Sequence, residues 1–208
     1  MPRANSDTIA AVLAAVAAAS FLVAAVTLVW VDLPHTGSRP ERDAVSDYGA
    51  GPYRWFYSAL VVSLGLGALL LLLSLARGTG VAAGGLIWLG VFAGARIAIA
   101  WFPHDLDGAP VTPVGRVHLA LAAAAFTAIA FAAVDLAPAL ADEPGWDGAS
   151  SLIGTLRWAV VITAVATLVA RVVLPLRRVA FGLVERLLYA AMIAFLVVVA
   201  VEAVRVLG

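Results

Sequence analysis

The stretch "WFPHDLDGAPVTPVGRVH" at positions 101–118 gathers His104, Asp105, Asp107, Arg116 and His118 between two long apolar runs. Histidines beside carboxylates are the side chains of general acid–base chemistry. Two further stretches add to them. "VSDYGAGPYRWFY" (45–57) supplies Ser46 and Asp47, and "GLVERLL" (182–188) supplies Glu185 and Arg186. The candidates for chemistry are Asp47, Asp105, His118 and Glu185. The candidates for holding a ligand are Ser46, Arg96, Arg116, Arg186 and His104. A zinc site would draw on His104, Asp105 and His118, with an open water position and Asp47 or Glu185 as base. The chain has no HExxH and no histidine pair at i, i+4, so no metal is assigned. Ser46 and Asp47 with His118 suggest a hydrolase, yet no G-x-S-x-G turn is present to expose a nucleophile. An arginine-lined pocket for a phosphate or carboxylate needs less geometry, because a guanidinium grips such groups bidentately.

The elements that must position these groups follow from composition. The chain has 208 residues, 63% hydrophobic and 12% charged, with a mean hydropathy of +1.03. Soluble domains carry about 25% charged residues, so the solvent for this chain is lipid. A helix needs about 20 apolar residues to cross the hydrocarbon core. Six segments qualify: Thr8–Val31, Tyr53–Ala76, Val81–Phe102, Val114–Ala139, Ser151–Leu174 and Val179–Val206. The expected fold is all-α, a polytopic six-helix bundle forming one integral membrane domain over 1–208, in the inner (plasma) membrane. Alanine- and glycine-rich faces such as "AAGGLIWLGVFAGA" (82–95) let helices approach closely. Such faces are also compatible with a homo-oligomer. With no cysteine, disulfides and thiolate catalysis are excluded. With zero formal net charge, no basic domain exists to grip nucleic acid.

Six spans put both ends of the chain at one face, with the loops near 77–80 and 140–150. The opposite face, called the polar face below, takes the loops near 32–52, 103–113 and 175–178. Arg39, Arg42, Arg54, Arg96, Arg116, Arg171, Arg177, Arg178 and Arg186 lie nearer the polar face. Arg3, Arg77, Arg157 and Arg205 lie nearer the other. That imbalance predicts a cytoplasmic polar face. His35, His104 and His118 all fall on it. The aromatic residues Trp30, Tyr48, Tyr53, Trp55, Tyr57 and Trp101 there fit an interfacial belt.

Depth is the stronger signal. Arg96 lies about six residues inside the third span, roughly 9 Å from its end. Arg116 and His118 open the fourth span, and Glu185 and Arg186 lie about two turns into the sixth. A charge at membrane depth costs a few kcal/mol unless it is paired or hydrated, so these groups should face inward. The expectation is a water-accessible cavity walled by the ends of spans two, three, four and six. His118 is expected to pair with Asp105 or Asp47. At the opposite face, Asp135, Arg157, Glu202 and Arg205 are expected to form ion pairs between the last three spans.

The motifs S-D-x-G at 46–49, F-P-x-D at 102–105 and G-R-x-H at 115–118, with Glu185–Arg186, resemble those of a bacterial and archaeal membrane family catalogued as domain of unknown function 998. The resemblance covers nearly the whole chain and implies a single six-helix membrane domain. The matching positions are Ser46, Asp47, Gly49, Pro103, Asp105, Gly115, His118, Glu185 and Arg186, with His104 at the variable position of F-P-x-D. The resemblance brings no assigned activity, and it leaves any cofactor unknown. Two functions of different class therefore stand. One is binding or transport of an anionic lipid or small metabolite; the other is a membrane enzyme acting on a lipid-like substrate by acid–base or metal-assisted chemistry.

Overall fold

A computed structural model of the chain describes residues 2–33, 37, 39–106, 108–173 and 179–208, with side chains from residue 7 onward. His35 and Asp107, and the side chains of Arg3, Arg177 and Arg178, lie outside the described residues. Among the described residues six long α-helices follow one another: α1 (Pro2–Val31), α2 (Arg54–Gly78), α3 (Ala83–Ile99), α4 (Pro113–Ala141), α5 (Asp147–Val172) and α6 (Phe181–Leu207). No strand occurs among the described residues. Five helices are long and apolar enough to span a membrane, and α3 is a shorter apolar helix.

Each helix packs on its neighbours in sequence, and α6 returns to α1, which closes a ring. The interior is filled by large side chains, among them Phe21, Leu60, Leu64, Leu71, Leu89, Phe92 and Phe195. α2 also touches α6 across the ring. The hydroxyl of Ser74 on α2 donates to the Ala10 carbonyl of α1 at 2.7 Å, which satisfies a buried polar group inside the bundle.

Two elements depart from the sequence reading. The third span is shorter than Val81–Phe102 at both ends. Ala82 has an extended backbone, and Pro103 disfavours helix at the residue before it, so Ala100–Phe102 turn out of α3. Arg96 therefore sits three residues from the end of α3, about 4.5 Å, nearer the membrane surface than expected. The region before α2, read from sequence as a loop, contains a 3-10 helix at Val45–Ala50. It packs against α2 and α6 and lies over their ends on the polar face.

The fourth span begins as its residues dictate. Pro113 occupies the first turn, where its missing N–H costs nothing, and the Thr112 hydroxyl caps it by accepting the Gly115 N–H at 3.0 Å. At the opposite face, among the described residues, the expected ion pairs between helices do not form. Arg205 pairs with Glu202 three residues earlier on the same helix and donates to the Gly145 carbonyl of the α4–α5 loop. Among the described residues no ion pair joins Asp135 to Arg157, whose guanidinium instead lies over the Trp158 ring at 4.8 Å.

Candidate functional site

A cavity of about 520 Å³ opens at the polar face between α3, α4, α5 and α6, with the 3-10 helix and Tyr57 of α2 completing its wall. Its polar end holds Ser46, Asp47, Arg96, His104, His118 and Glu185. Six of the nine residues singled out in the sequence are thus brought to one chamber. Asp105, Arg116 and Arg186 are not.

Arg96 decides the character of the chamber. It is 1% exposed. One terminal nitrogen donates to the Tyr189 hydroxyl at 2.8 Å, and the other lies 3.6 Å from the Met192 sulfur. Its Nε is buried and has no partner. The guanidinium carbon stands 4.8 Å from the Phe126 and Tyr189 rings and 5.4 Å from Phe92, so aromatic faces supply part of what hydration would. Among the described residues no ion pair reaches it. A buried cation without a carboxylate is costly, and the usual remedy is a counter-charge.

Glu185 lies on the same side of α6 as Tyr189, one turn earlier. Its Oε2 accepts the backbone N–H of Val45 at 2.7 Å, at the start of the 3-10 helix. Asp47, three residues after Ala44, accepts the Ala44 N–H at 2.9 Å with one oxygen. Its other oxygen is 3.1 Å from His104 Nδ1. The His104 and His118 rings are 5.2 Å apart. Arg42 and Arg171 stand at the chamber's rim. They add positive charge at the mouth of a chamber that holds Arg96, Asp47 and Glu185.

The carboxylate partner expected for His118 is not the one it takes. Its Nδ1 donates to the Phe102 carbonyl at 2.6 Å, tying the first turns of α4 to the end of α3. The carbonyl is freed by the turn that Pro103 imposes. His104, placed by the same turn, takes Asp47 instead.

Asp105 points away from the chamber. Its oxygens accept the Thr112 N–H at 2.8 Å and the Thr112 hydroxyl at 2.9 Å. These bonds hold its carboxyl below the usual carboxylate range. A side chain at Gly115 would strike this carboxylate, so the glycine admits the cap. Asp105 thus closes the 103–113 loop, and the zinc triad of His104, Asp105 and His118 is not assembled. Among the described residues no three metal-ligating side chains gather at one point. Arg116 is exposed outside the chamber. Arg186 is fully engaged: it grips Asp32 with Nε and Nη2 at 2.8–2.9 Å, and Nη1 donates to the carbonyls of Pro40, Asp43 and Gly182. It has no donor left for a ligand and acts as a clamp on the segment before α2.

A family model described as "Protein of unknown function (DUF998)" matches residues 15–202. The chain belongs to this family. No curated protein and no solved structure matches it. The matched region contains every residue of the chamber, four whole helices and most of α6, with the second half of α1, and the family assignment adds no substrate to them.

The sequence places Arg42, Arg171 and Tyr57 at the polar face without assigning them to the site, and it does not point to Tyr189 or the α5 wall. Tyr189 was open to inference, because i and i+4 share a helix face and it follows Glu185 by four. The α5 wall of Val161, Ala164, Val165 and Leu168 carries no such signal, since cavity-lining and lipid-facing residues have the same composition.

Proposed function

We propose that this membrane protein of the domain of unknown function 998 family binds or transports an amphiphilic anion, an anionic lipid or small metabolite, in the chamber at its polar face. The observation that carries this reading is Arg96: a guanidinium 1% exposed, with an unpartnered Nε and no ion pair among the described residues, lining a cavity. An incoming phosphate or carboxylate would supply the missing charge and acceptor. Tyr57, Tyr189, Ser46 and His104 stand around the same space as hydrogen-bonding groups. The remaining wall is apolar, the usual pattern of a small-molecule site.

The experiment is mass spectrometry of the lipids and metabolites that co-purify with the wild-type protein and with Arg96→Gln. An anionic amphiphile retained by the wild type and absent from the variant is the expected result. Equal retention by both, or neutral lipids alone, overturns the reading.

A second reading rests on the His104–Asp47 contact, which orients an imidazole beside the chamber as a general base is oriented. Under it, the protein turns over the amphiphile it binds. Incubation of the isolated amphiphile with wild type and with His104→Gln separates the two. Product formed only by the wild type favours an enzyme, and an unchanged ligand in both favours binding or transport.

A further inference from the structure

The chamber continues well beyond its charged end. On α4 its lining includes Leu119, Phe126, Ala130 and Val134, which share one helix face. From Leu119 to Val134 is about 22 Å along the axis. α5 supplies Val165 and Leu168 opposite. Alanines on both helices keep the slot between them open, and α4 and α5 are the most loosely packed neighbours in the ring. The slot is also open on its outer side, for Val165 is 57% and Leu168 64% exposed. In a membrane, what lies outside these residues is acyl chain.

The charged end sits at a definite level. Arg96 lies three residues from the end of α3, Glu185 four residues from the start of α6, and His118 five from the start of α4. At 1.5 Å per residue these depths are about 4.5–7.5 Å. With the helix ends at the membrane surface, that is where the headgroup region meets the hydrocarbon. A slot of about 22 Å leaves room for the full acyl chain of one leaflet, whose hydrocarbon is about 15 Å thick. The chamber therefore has the polarity, direction and length of a lipid in the leaflet of the polar face. A water-soluble metabolite would fill the charged end and leave the apolar slot without a use.

We infer that the occupant is an anionic lipid of that leaflet, which enters sideways between α4 and α5, sets its headgroup on Arg96 and lays one chain along the slot. This rests on the reading of Arg96 as an anion site, and it selects the bilayer over water as the source of the anion. The feature that recognises the headgroup is common to phosphate and carboxylate; the apolar slot is what separates a lipid from a soluble anion.

The test uses the purified protein in a neutral detergent, native mass spectrometry, and two probes: dodecyl phosphate and inorganic phosphate. Wild type should bind dodecyl phosphate at least tenfold more tightly than inorganic phosphate. Ala130→Trp, which fills the slot, should weaken dodecyl phosphate by about tenfold or more and leave inorganic phosphate unchanged. Arg96→Gln should weaken both. If Ala130→Trp leaves dodecyl phosphate binding intact while Arg96→Gln removes it, the slot is not the chain's place and the inference fails, though the anion site stands. If Arg96→Gln changes neither probe, the anion site itself fails. A measurement on the unaltered protein guards against a variant that does not fold. Phosphatidylglycerol with a diazirine in one chain, in phosphatidylcholine vesicles, should crosslink peptides spanning 119–134 and 161–168 in preference to the outer face of α1 at Leu22–Val29. Equal labelling of the two surfaces overturns the inference.

Discussion

The Glu185 carboxylate accepts the backbone N–H of Val45 at 2.7 Å, although 140 positions separate them. The next residue, Arg186, clamps Asp32 and the carbonyls of Pro40 and Asp43. Two consecutive side chains on α6 thus hold the whole approach to α2 against the helix ends. Glu185 faces the chamber and Arg186 faces the connecting segment. The division follows from the helix, where adjacent residues point about 100° apart. Gly182, one turn before Arg186, lets the chain at Pro40–Asp43 lie directly on α6, where a side chain would meet their backbone atoms.

Arg186→Lys should not rescue the loss of this clamp. The guanidinium uses its planar fork on Asp32 and a separate nitrogen on three carbonyls, and an ammonium cannot reproduce both. Breaking a buried pair costs about 3–5 kcal/mol. The Arg186 and Asp32 side chains are 10% and 23% exposed, so a smaller cost of about 2–3 kcal/mol is expected. For a chain of this length that lowers the melting temperature by several degrees. Thermal unfolding in detergent of Arg186→Lys and Arg186→Gln checks it; a lysine variant as stable as wild type would contradict the clamp.

The 103–113 loop should loosen in acid. Asp105 is held below its usual 3.8 by the N–H and hydroxyl of Thr112. A carboxyl with a depressed folded-state pKa contributes stability that is present above its unfolded value and lost as pH falls through the folded one. The loop is therefore firm at neutral pH and weakens below about pH 4. Hydrogen exchange at the Thr112 amide, followed from pH 7 to pH 3, reads this directly. Asp105→Asn should exchange faster at neutral pH and show no acid transition. An acid transition of the same size in that variant would mean another group controls the loop.

Much of this was open to reading from the residues alone, and the limits have physical causes. Apolar length placed all six helices, because a continuous apolar run of about 20 residues crosses lipid as a helix, whereas a barrel strand is about half that length and alternates. Desolvation cost placed Arg96 and Glu185 inward, and both are buried. The same argument could not separate Arg186 from Glu185, since a charge that lines a cavity and a charge that clamps a loop are equally intolerant of lipid. Asp105 and His104 are adjacent in a turn, and only the turn's backbone path decides which one reaches the chamber. That path depends on Thr112 and Gly115, whose caps form in three dimensions. The apolar slot was invisible because a valine lining a cavity and a valine facing lipid obey the same composition.

The polar face should be cytoplasmic. The arginine count favours it, and Arg186 and Arg96 now have roles inside the protein that reduce their weight as topology signals. The exposed Arg54 and Arg116 still lie on that side, and opposite, the α4–α5 loop and the first residue of α5 carry Asp142, Glu143 and Asp147 without an arginine. In this cysteine-free chain, Glu41→Cys and Gly148→Cys give single reporters at the two faces. An impermeant maleimide applied to intact cells should label position 148 and not position 41. The opposite pattern reverses the orientation and puts the chamber mouth outside.

His118 should tolerate asparagine better than glutamine. Its Nδ1–H donates to the Phe102 carbonyl, which the turn at Pro103 leaves without a helical partner. An asparagine amide places its nitrogen near the position of Nδ1, whereas a glutamine amide places it nearer Nε2. A buried carbonyl left unsatisfied costs about 1–3 kcal/mol. His118→Gln should therefore lower the melting temperature by several degrees, and His118→Asn should keep most of the wild-type value. The two variants also separate this structural role from a chemical one. If the ring is needed only for its bond to Phe102, His118→Asn retains both stability and whatever the chamber binds. If His118→Asn is as stable as wild type but no longer retains the amphiphile, the free ring nitrogen, not the bond to α3, is what the site uses.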